Sequence, residues 1–333
     1  MRQAGTARIL GRATTGLRQM RIAVINDYHG LAQQAVDWQD LAAAHVLDFH
    51  GRVADADAAA LLAEAEIIVT AREETRFDAA LLARLPRLKL LVTHGMSNAA
   101  LDLPALAARG VTVCGTALGY PMATVELAWG LVLGLVKHIA AEDRTIREGG
   151  WGAALGRGLT GRRLGLLGLG QLGEGMARVG LAFGMQVVAW SENLTAERCA
   201  ACGVQLVGRE ALFGASDVIS IHMRMSPRTR GLVGAAEIAA MRPDALLINT
   251  SRGPIVEEAA LVAALREGRI GGAGLDVFSQ EPLPADHPLR SLPNTLLTSH
   301  IGGRTQENFR VRYRESHEAV AAWLAGRPVR VLS

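Results

Sequence analysis

The sequence predicts an α/β chain built on doubly wound parallel sheets, with helices packed on both faces. Three observations predict it. Short apolar runs alternate with Ala- and Leu-rich stretches of helical period along most of the chain. The runs are continuous rather than alternating apolar with polar, as strands covered on both faces require. At mid-chain, an apolar run breaks into Gly168-x-Gly170-x-x-Gly173, then a helical pattern, then a second apolar run. At 333 residues the chain exceeds the usual single-domain size, so two domains are expected.

From Arg21 onward, residues 22–25, 46–49, 67–70, 88–92 and 111–114 read as strands. Residues 31–44, 55–65, 78–85 and 103–109 read as the helices between them. Ligands of parallel sheets bind beyond the carboxyl ends of strands. Thr93-His94-Gly95-Met96-Ser97-Asn98 follows the fourth strand, so Gly95 is a candidate to offer backbone N–H groups to a small anion. The plain alternative is a turn before the helix starting near Asp102. One long apolar helix, 123–147, carries Thr124 and crosses toward a second series. A glycine-rich connection around Trp151 follows it.

The second series opens with strand 164–167 and the glycine turn. In this turn Gly168 permits a tight bend, Gly170 admits a pyrophosphate and Gly173 lets helix and strand pack closely. Gln171 and Leu172 open a helix whose unpaired N–H groups face the phosphates. Strands follow at 187–190, 218–222, 245–249, 272–277 and 294–298, then a helix over 305–326. Arg252, Glu281 and His300 fall after three consecutive strands, at one edge of the sheet. Each has an ordinary reading, as a solvated arginine, a turn glutamate before Pro282 and a structural histidine. Their shared placement beside a nucleotide turn favours chemistry.

Composition excludes other classes. The chain holds 35 basic and 32 acidic residues, and four arginines (2, 8, 12 and 18) lie in the first twenty positions without any acid. The body is therefore one charge from neutral and has no basic stripe for nucleic acid. Residues 1–20 loosely resemble a transit peptide, but Met20 opening directly into a strand points to an upstream extension, expected to be poorly ordered. No apolar run reaches spanning length, so no membrane is expected and the location is read as cytoplasmic. The three cysteines argue against a disulfide framework. Cys199-Ala-Ala-Cys202 lacks a matching second pair, so no metal is assigned.

From about Arg21 to Val331 the sequence resembles the D-isomer-specific 2-hydroxyacid dehydrogenase family. The resemblance lies in Gly168–Gly173, Asn249-Thr-Ser-Arg-Gly-Pro-Ile-Val-Glu257, Leu275-Asp-Val-Phe-Ser-Gln-Glu-Pro282 and His300-Ile-Gly-Gly303. It implies a Rossmann cofactor domain, residues 119–300, inserted into a flavodoxin-like substrate domain, residues 21–118 plus 301–333. It implies that His300 is the general acid/base and that Glu281 fixes its tautomer and favours its protonated form. Arg252 would grip the substrate carboxylate in a fork, with the backbone of Gly95 and Met96 at its other end. Asp276 would meet the nicotinamide carboxamide, while Thr124, Ser191, Glu192, His222 and Thr250 would line the cofactor. The implied reaction moves a hydride between NAD(P)H and C2 of a small 2-oxo acid, such as glyoxylate or hydroxypyruvate.

Some positions depart from the family pattern. Ser191 stands where an acid usually holds the adenosine ribose, and Glu192 one residue later can substitute, which favours NAD over NADP. Arg224 is a second route to a 2′-phosphate or a solvated loop cation. His94 either charges the substrate pocket or has no role. The alternative class is a dinucleotide-sensing, corepressor-like interaction protein on the same fold, which the three site residues do not exclude. Glu281 speaks against formate oxidation, where relatives carry Gln. The chain end soon after the last helix speaks against a phosphoglycerate dehydrogenase with a regulatory domain. The apolar surface of helix 123–147 suggests a homodimer.

Overall fold

A computed structural model describes residues 7–9, 19–27, 30–117, 119–152 and 154–333. The chain divides into two compact units, Met1–Tyr120 with Thr305–Ser333, and Pro121–Arg304.

The strands of the first unit are β1 (Ala7–Ile9), β2 (Arg21–Val24), β3 (Val46–Phe49), β4 (Ile67–Thr70), β5 (Leu90–Thr93) and β6 (Thr112–Gly115). Its helices are α1 (Leu31–Ala35), α2 (Gln39–Ala42), α3 (Asp55–Leu62), α4 (Ala79–Ala83), α5 (Leu103–Ala108) and the C-terminal helix Gln306–Leu324. Among the described residues the sheet has six strands in the order β1-β3-β2-β4-β5-β6. All neighbours are parallel except β1 and β3. β4 and β5 are buried along their whole length, which is why they read as continuous apolar runs. One face packs on Leu31, Trp38, Leu41, Phe309 and Val320, the other on Ala58, Leu62, Leu82 and Leu106.

The second unit begins with α6 (Met122–Val136) and α7 (Ile139–Arg147). Then β7 (Arg163–Leu167), α8 (Gln171–Ala182), β8 (Gln186–Trp190), α9 (Ala196–Ala200), β9 (Gln205–Leu206), α10 (Arg209–Ala215) and β10 (Val218–Ile221) alternate. α11 (Ala235–Ala240), β11 (Leu246–Asn249), α12 (Glu258–Arg266), β12 (Gly272–Leu275) and β13 (Thr295–Leu297) complete it. The strand order is β13-β12-β11-β10-β7-β8-β9, parallel throughout. α6 and α8 cover one face, and Phe213, Ile238, Leu261 and Leu265 from α10, α11 and α12 cover the other. The order reverses between β7 and β10, and at such a reversal the loops part and leave a crevice.

Three expectations are corrected. The single helix over 123–147 is two helices bent by 62°. His138 at the joint takes a φ of 55°, a left-handed turn that stops the first helix. α6 buries Val125, Ala128, Trp129, Leu131 and Val132, whereas α7 buries nothing. The helix over 31–44 is also broken, with Val36 extended, and Trp38 between the pieces packs on Phe49 and His317. Finally, Ala7–Ile9 pairs with β3, whose outer edge offers unpaired backbone groups. The remainder of the first eighteen residues lies outside the described residues. Cys199 is buried in α9, and Cys202 follows that helix; both are free thiols.

Candidate active site

His300, Glu281 and Arg252 come together in the second unit. His300 Nδ1 lies 2.6 Å from Glu281 Oε2, and both side chains are about one-third exposed. The other Glu281 oxygen accepts the Phe278 N–H at 2.9 Å, so the carboxylate is aimed from both sides. Burial raises the Glu281 pKa. The hydrogen bond and charge of His300, the Phe278 N–H and the charge of Arg252 outweigh it, and the carboxyl is held below its ordinary value. The Arg252 loop is tied by Asn249, whose Nδ2 donates to Arg252 O at 3.0 Å, and Arg252 Nη1 donates to Ser251 O at 2.7 Å. Gly253 lets this loop approach the Glu281 loop. A Cβ there would stand 2.0 Å from the Phe278 carbonyl carbon.

Asp276 does more here than its assigned cofactor contact. Its side chain is buried, and it accepts from Thr298 Oγ1 at 2.6 Å, Ile301 N at 2.7 Å and Gly302 N at 2.9 Å. Its carbonyl accepts the His300 N–H at 2.8 Å. His300 itself sits at a φ of 53°, a region costing a non-glycine residue about 1 kcal/mol. The Asp276 bonds on either side hold it there. Thr124 Oγ1 donates to Gly302 O at 3.0 Å, so Thr124 also supports the loop.

The glycine turn has the shape a dinucleotide needs. Gly168 has a φ of 100°, and a Cβ there would lie 2.7 Å from His222 O. A Cβ on Gly173 would lie 2.3 Å from Gly168 O, whereas one on Gly170 would meet nothing within 4 Å. The first and third glycines are thus required by the protein, and the second leaves room for a phosphate at the α8 N-terminus. Two buried polar atoms beside the crevice, His222 Nδ1 and Thr250 Oγ1, have no hydrogen-bond partner among the described residues. They follow β10 and β11, and a polar ligand would satisfy them. His222 Nε2 lies 2.8 Å from Ser220 Oγ, and burial pushes the imidazole pKa down to about 4. Gln171 and Glu192 are exposed; Leu172 and Ser191 are half-buried. These residues fit a nicotinamide dinucleotide.

Sequence reasoning missed Arg209, whose guanidinium stacks over the Trp190 ring, 5.9 Å from its centroid, and pairs with Glu237 at 2.9 Å. No local pattern links residues so far apart. Arg224 is exposed in its loop.

The loop after β5, in the first unit, corrects one expectation and decides an alternative left open for His94. The Gly95 N–H donates to Thr116 Oγ1 at 2.8 Å and is therefore not offered to an anion. Met96 is exposed. His94 is 1% exposed and packs edge-on against Phe309 and Tyr313. Burial, helped by the charge of Arg312, pushes its pKa down to about 3, so it stays neutral and brings no charge to this loop.

The two units define a pyridine-nucleotide α/β protein that sets an imidazole, a carboxylate and a guanidinium beside the cofactor turn. The chain belongs to the D-isomer specific 2-hydroxyacid dehydrogenase family, whose NAD binding domain matches residues 129–302. It is 36% identical over 241 residues to a glyoxylate reductase of Aeropyrum pernix, covering 70% of this chain and 72% of that one. It is 34% identical over 271 residues to a D-3-phosphoglycerate dehydrogenase of Synechocystis sp., covering 78% of this chain. The match takes in 49% of that relative, so this chain spans about half its length. Among solved structures, a phosphoglycerate oxidoreductase from Vibrio cholerae superposes with a TM-score of 0.85 at 32% identity, covering 92% of this chain and all of the other.

Two outcomes follow from this geometry. Asp276→Asn places an amide N–H₂ where backbone N–H groups now donate. It should cost about 2 kcal/mol in a denaturant melt and lower turnover with it; an unchanged midpoint would show that the carboxylate does not hold the loop. For His94, the unfolded chain takes up a proton near pH 6.5 and the folded chain only near pH 3. Stability therefore falls as pH drops through that window. His94→Leu should flatten this fall in thermal melts between pH 7.5 and pH 4, and equal slopes in both proteins would refute the assignment.

Proposed function

We propose that this protein interconverts a 2-oxo acid and its D-2-hydroxy acid. The His300–Glu281 contact at 2.6 Å carries the reading. With Nδ1 held by a carboxylate, Nε2 is the ring nitrogen left to move a proton, and the negative partner stabilises the imidazolium. When bound, the dinucleotide supplies or accepts the hydride at C2. In reduction, His300 gives its proton to the carbonyl oxygen as that oxygen gains charge, and in oxidation it takes the proton back. Arg252 grips the substrate carboxylate in a two-point fork and stabilises the developing alkoxide. Asp276 Oδ1 accepts two bonds and Oδ2 one, so Oδ2 keeps a lone pair that the carboxamide of a nicotinamide would use.

NAD is favoured over NADP. Glu192 is acidic and exposed where a 2′-phosphate would lie, and Arg209, the cation stacked on Trp190, is already paired with Glu237. The names of the relatives, glyoxylate reductase and D-3-phosphoglycerate dehydrogenase, leave open what the substrate carries beyond C2.

The expected turnover is loss of nicotinamide absorbance with 2-oxo acids, faster with NADH than with NADPH. His300→Ala should lose about 10²–10⁴-fold in kcat while keeping its affinity for NADH. Turnover of no acid with either cofactor would favour a dinucleotide-sensing interaction protein instead.

We also propose a homodimer, through the α7 part of the segment the sequence suggested and the connection beyond it. Ile139 and Ile146 lie exposed on one face of α7, and beyond it Trp151 and Leu155 are 89% and 94% exposed. Apolar side chains grouped this way on a soluble surface mark a contact. Sedimentation should give twice the chain mass, falling to one in a Trp151→Glu, Leu155→Glu variant; a wild-type monomer would refute this.

A further inference from the structure

The mechanism leaves unused a carboxylate that stands between two loops of the site. Glu258 opens α12, six residues after Arg252. Its Oε2 accepts the Ser279 N–H at 3.1 Å, and its Oε1 lies 3.2 Å from His287 Nε2. His287 Nδ1 accepts the Leu289 N–H at 3.3 Å, so Nε2 carries the ring proton and donates it to Glu258. Ser279 and His287 flank Glu281 in one loop. Arg290 braces that loop, its Nε and Nη2 donating to Pro284 O and Leu283 O, both at 2.7 Å. Both ends of the segment that carries Glu281 therefore meet Glu258.

The same carboxylate is joined to the Arg252 loop. The Gly253 backbone packs so closely on the Phe278–Ser279 peptide that a Cβ would lie 2.5 Å from Ser279 N. One short turn, Gly253–Ile255, links that contact to α12. Asn249, Gly253 and Glu258 line one small cavity, and Asn249 is the residue that ties the Arg252 carbonyl. Without Glu258 as acceptor, the peptide between Phe278 and Ser279 is free to turn, and the neighbouring Phe278 N–H is the donor that aims Glu281. Two N–H donors need an acceptor at each oxygen, which a carboxylate supplies; an amide supplies one acceptor and a donor in place of the other.

We propose that Glu258 is a positioning residue that sets the distance between the Arg252 guanidinium and the Glu281 carboxylate. It thereby fixes the group that grips the substrate against the group that orients the His300 ring. Glu258 touches no reacting atom and acts through the two loops. This rests on the oxidoreductase reading above and deepens it.

The test uses the full chain with NADH and the 2-oxo acid that it reduces fastest. Glu258→Gln keeps the side-chain volume and one of the two bonds. It should lower kcat and weaken inhibition by oxalate, a carboxylate probe of Arg252, each by about tenfold or more, with NADH affinity unchanged. Glu257→Gln removes the same charge from the exposed neighbouring position. It should keep both values within about twofold of the wild type. A purely structural role for Glu258 would lower the Tm and the yield of folded protein while the oxalate Ki stayed put. An unchanged kcat, an unchanged Ki, or the same losses in Glu257→Gln would overturn the proposal. Amide hydrogen exchange gives a readout independent of turnover. In Glu258→Gln, residues 250–256 and 277–284 should both exchange faster, while 164–190 keep their protection. Faster exchange in one of the two segments alone, or in neither, would overturn the link between the loops. If the wild type reduces no acid, the oxidoreductase reading fails, and exchange alone then decides whether Glu258 couples the loops. Should Glu258→Gln fail to fold, His287→Phe, which deletes the histidine arm only, carries the same comparisons.

Discussion

One buried carboxylate organises the second unit's chemistry. Asp276 ends β12 and collects the Thr298 hydroxyl and the Ile301 and Gly302 amides, while its own carbonyl takes the His300 amide. Backbone N–H groups in a tight loop otherwise have to be left to water, and water would leave the loop free to choose its shape. By taking them, Asp276 sets the imidazole at a backbone angle it would not adopt alone. Glu281 then needs to correct only the ring's tilt and tautomer, which its second bond to Phe278 N allows.

Electrostatics in the two units work in opposite directions. Around His300, the imidazole, the Phe278 N–H and the charge of Arg252 hold a partly exposed carboxylate in its ionised form. Around His94, burial removes the charged form, and the imidazole becomes a polar wall rather than a cation. The same side chain therefore takes two roles because one has a carboxylate partner and some solvent and the other has neither. Arg312, which cannot be neutralised in the same way, keeps its charge beside His94.

Much of the fold was legible because strands covered on both faces must be continuously apolar, and 67–70 and 187–190 read that way and fold that way. The turn at Gly168 was legible because its three glycines answer three separate steric demands at fixed spacing. Helix 123–147 was not, since its composition stays helical through Lys137 and His138. The bend is decided by where the sheet's apolar cover ends. The substrate loop was misread at Gly95 for a related reason. Its amide has a partner, Thr116, that comes from the next strand and is invisible to local pattern.

The sequence by itself determined the alternation of strands and helices, the glycine turn and the family, because periodicity, glycine sterics and motif order are properties of neighbouring residues. Only the tertiary structure decided that Asp276 anchors the His300 loop, that His94 is neutral, and that Arg312 stands beside it. Those outcomes depend on burial and on charges brought together from segments as far apart as residues 94 and 312. No spacing rule records which groups the packing strips of water.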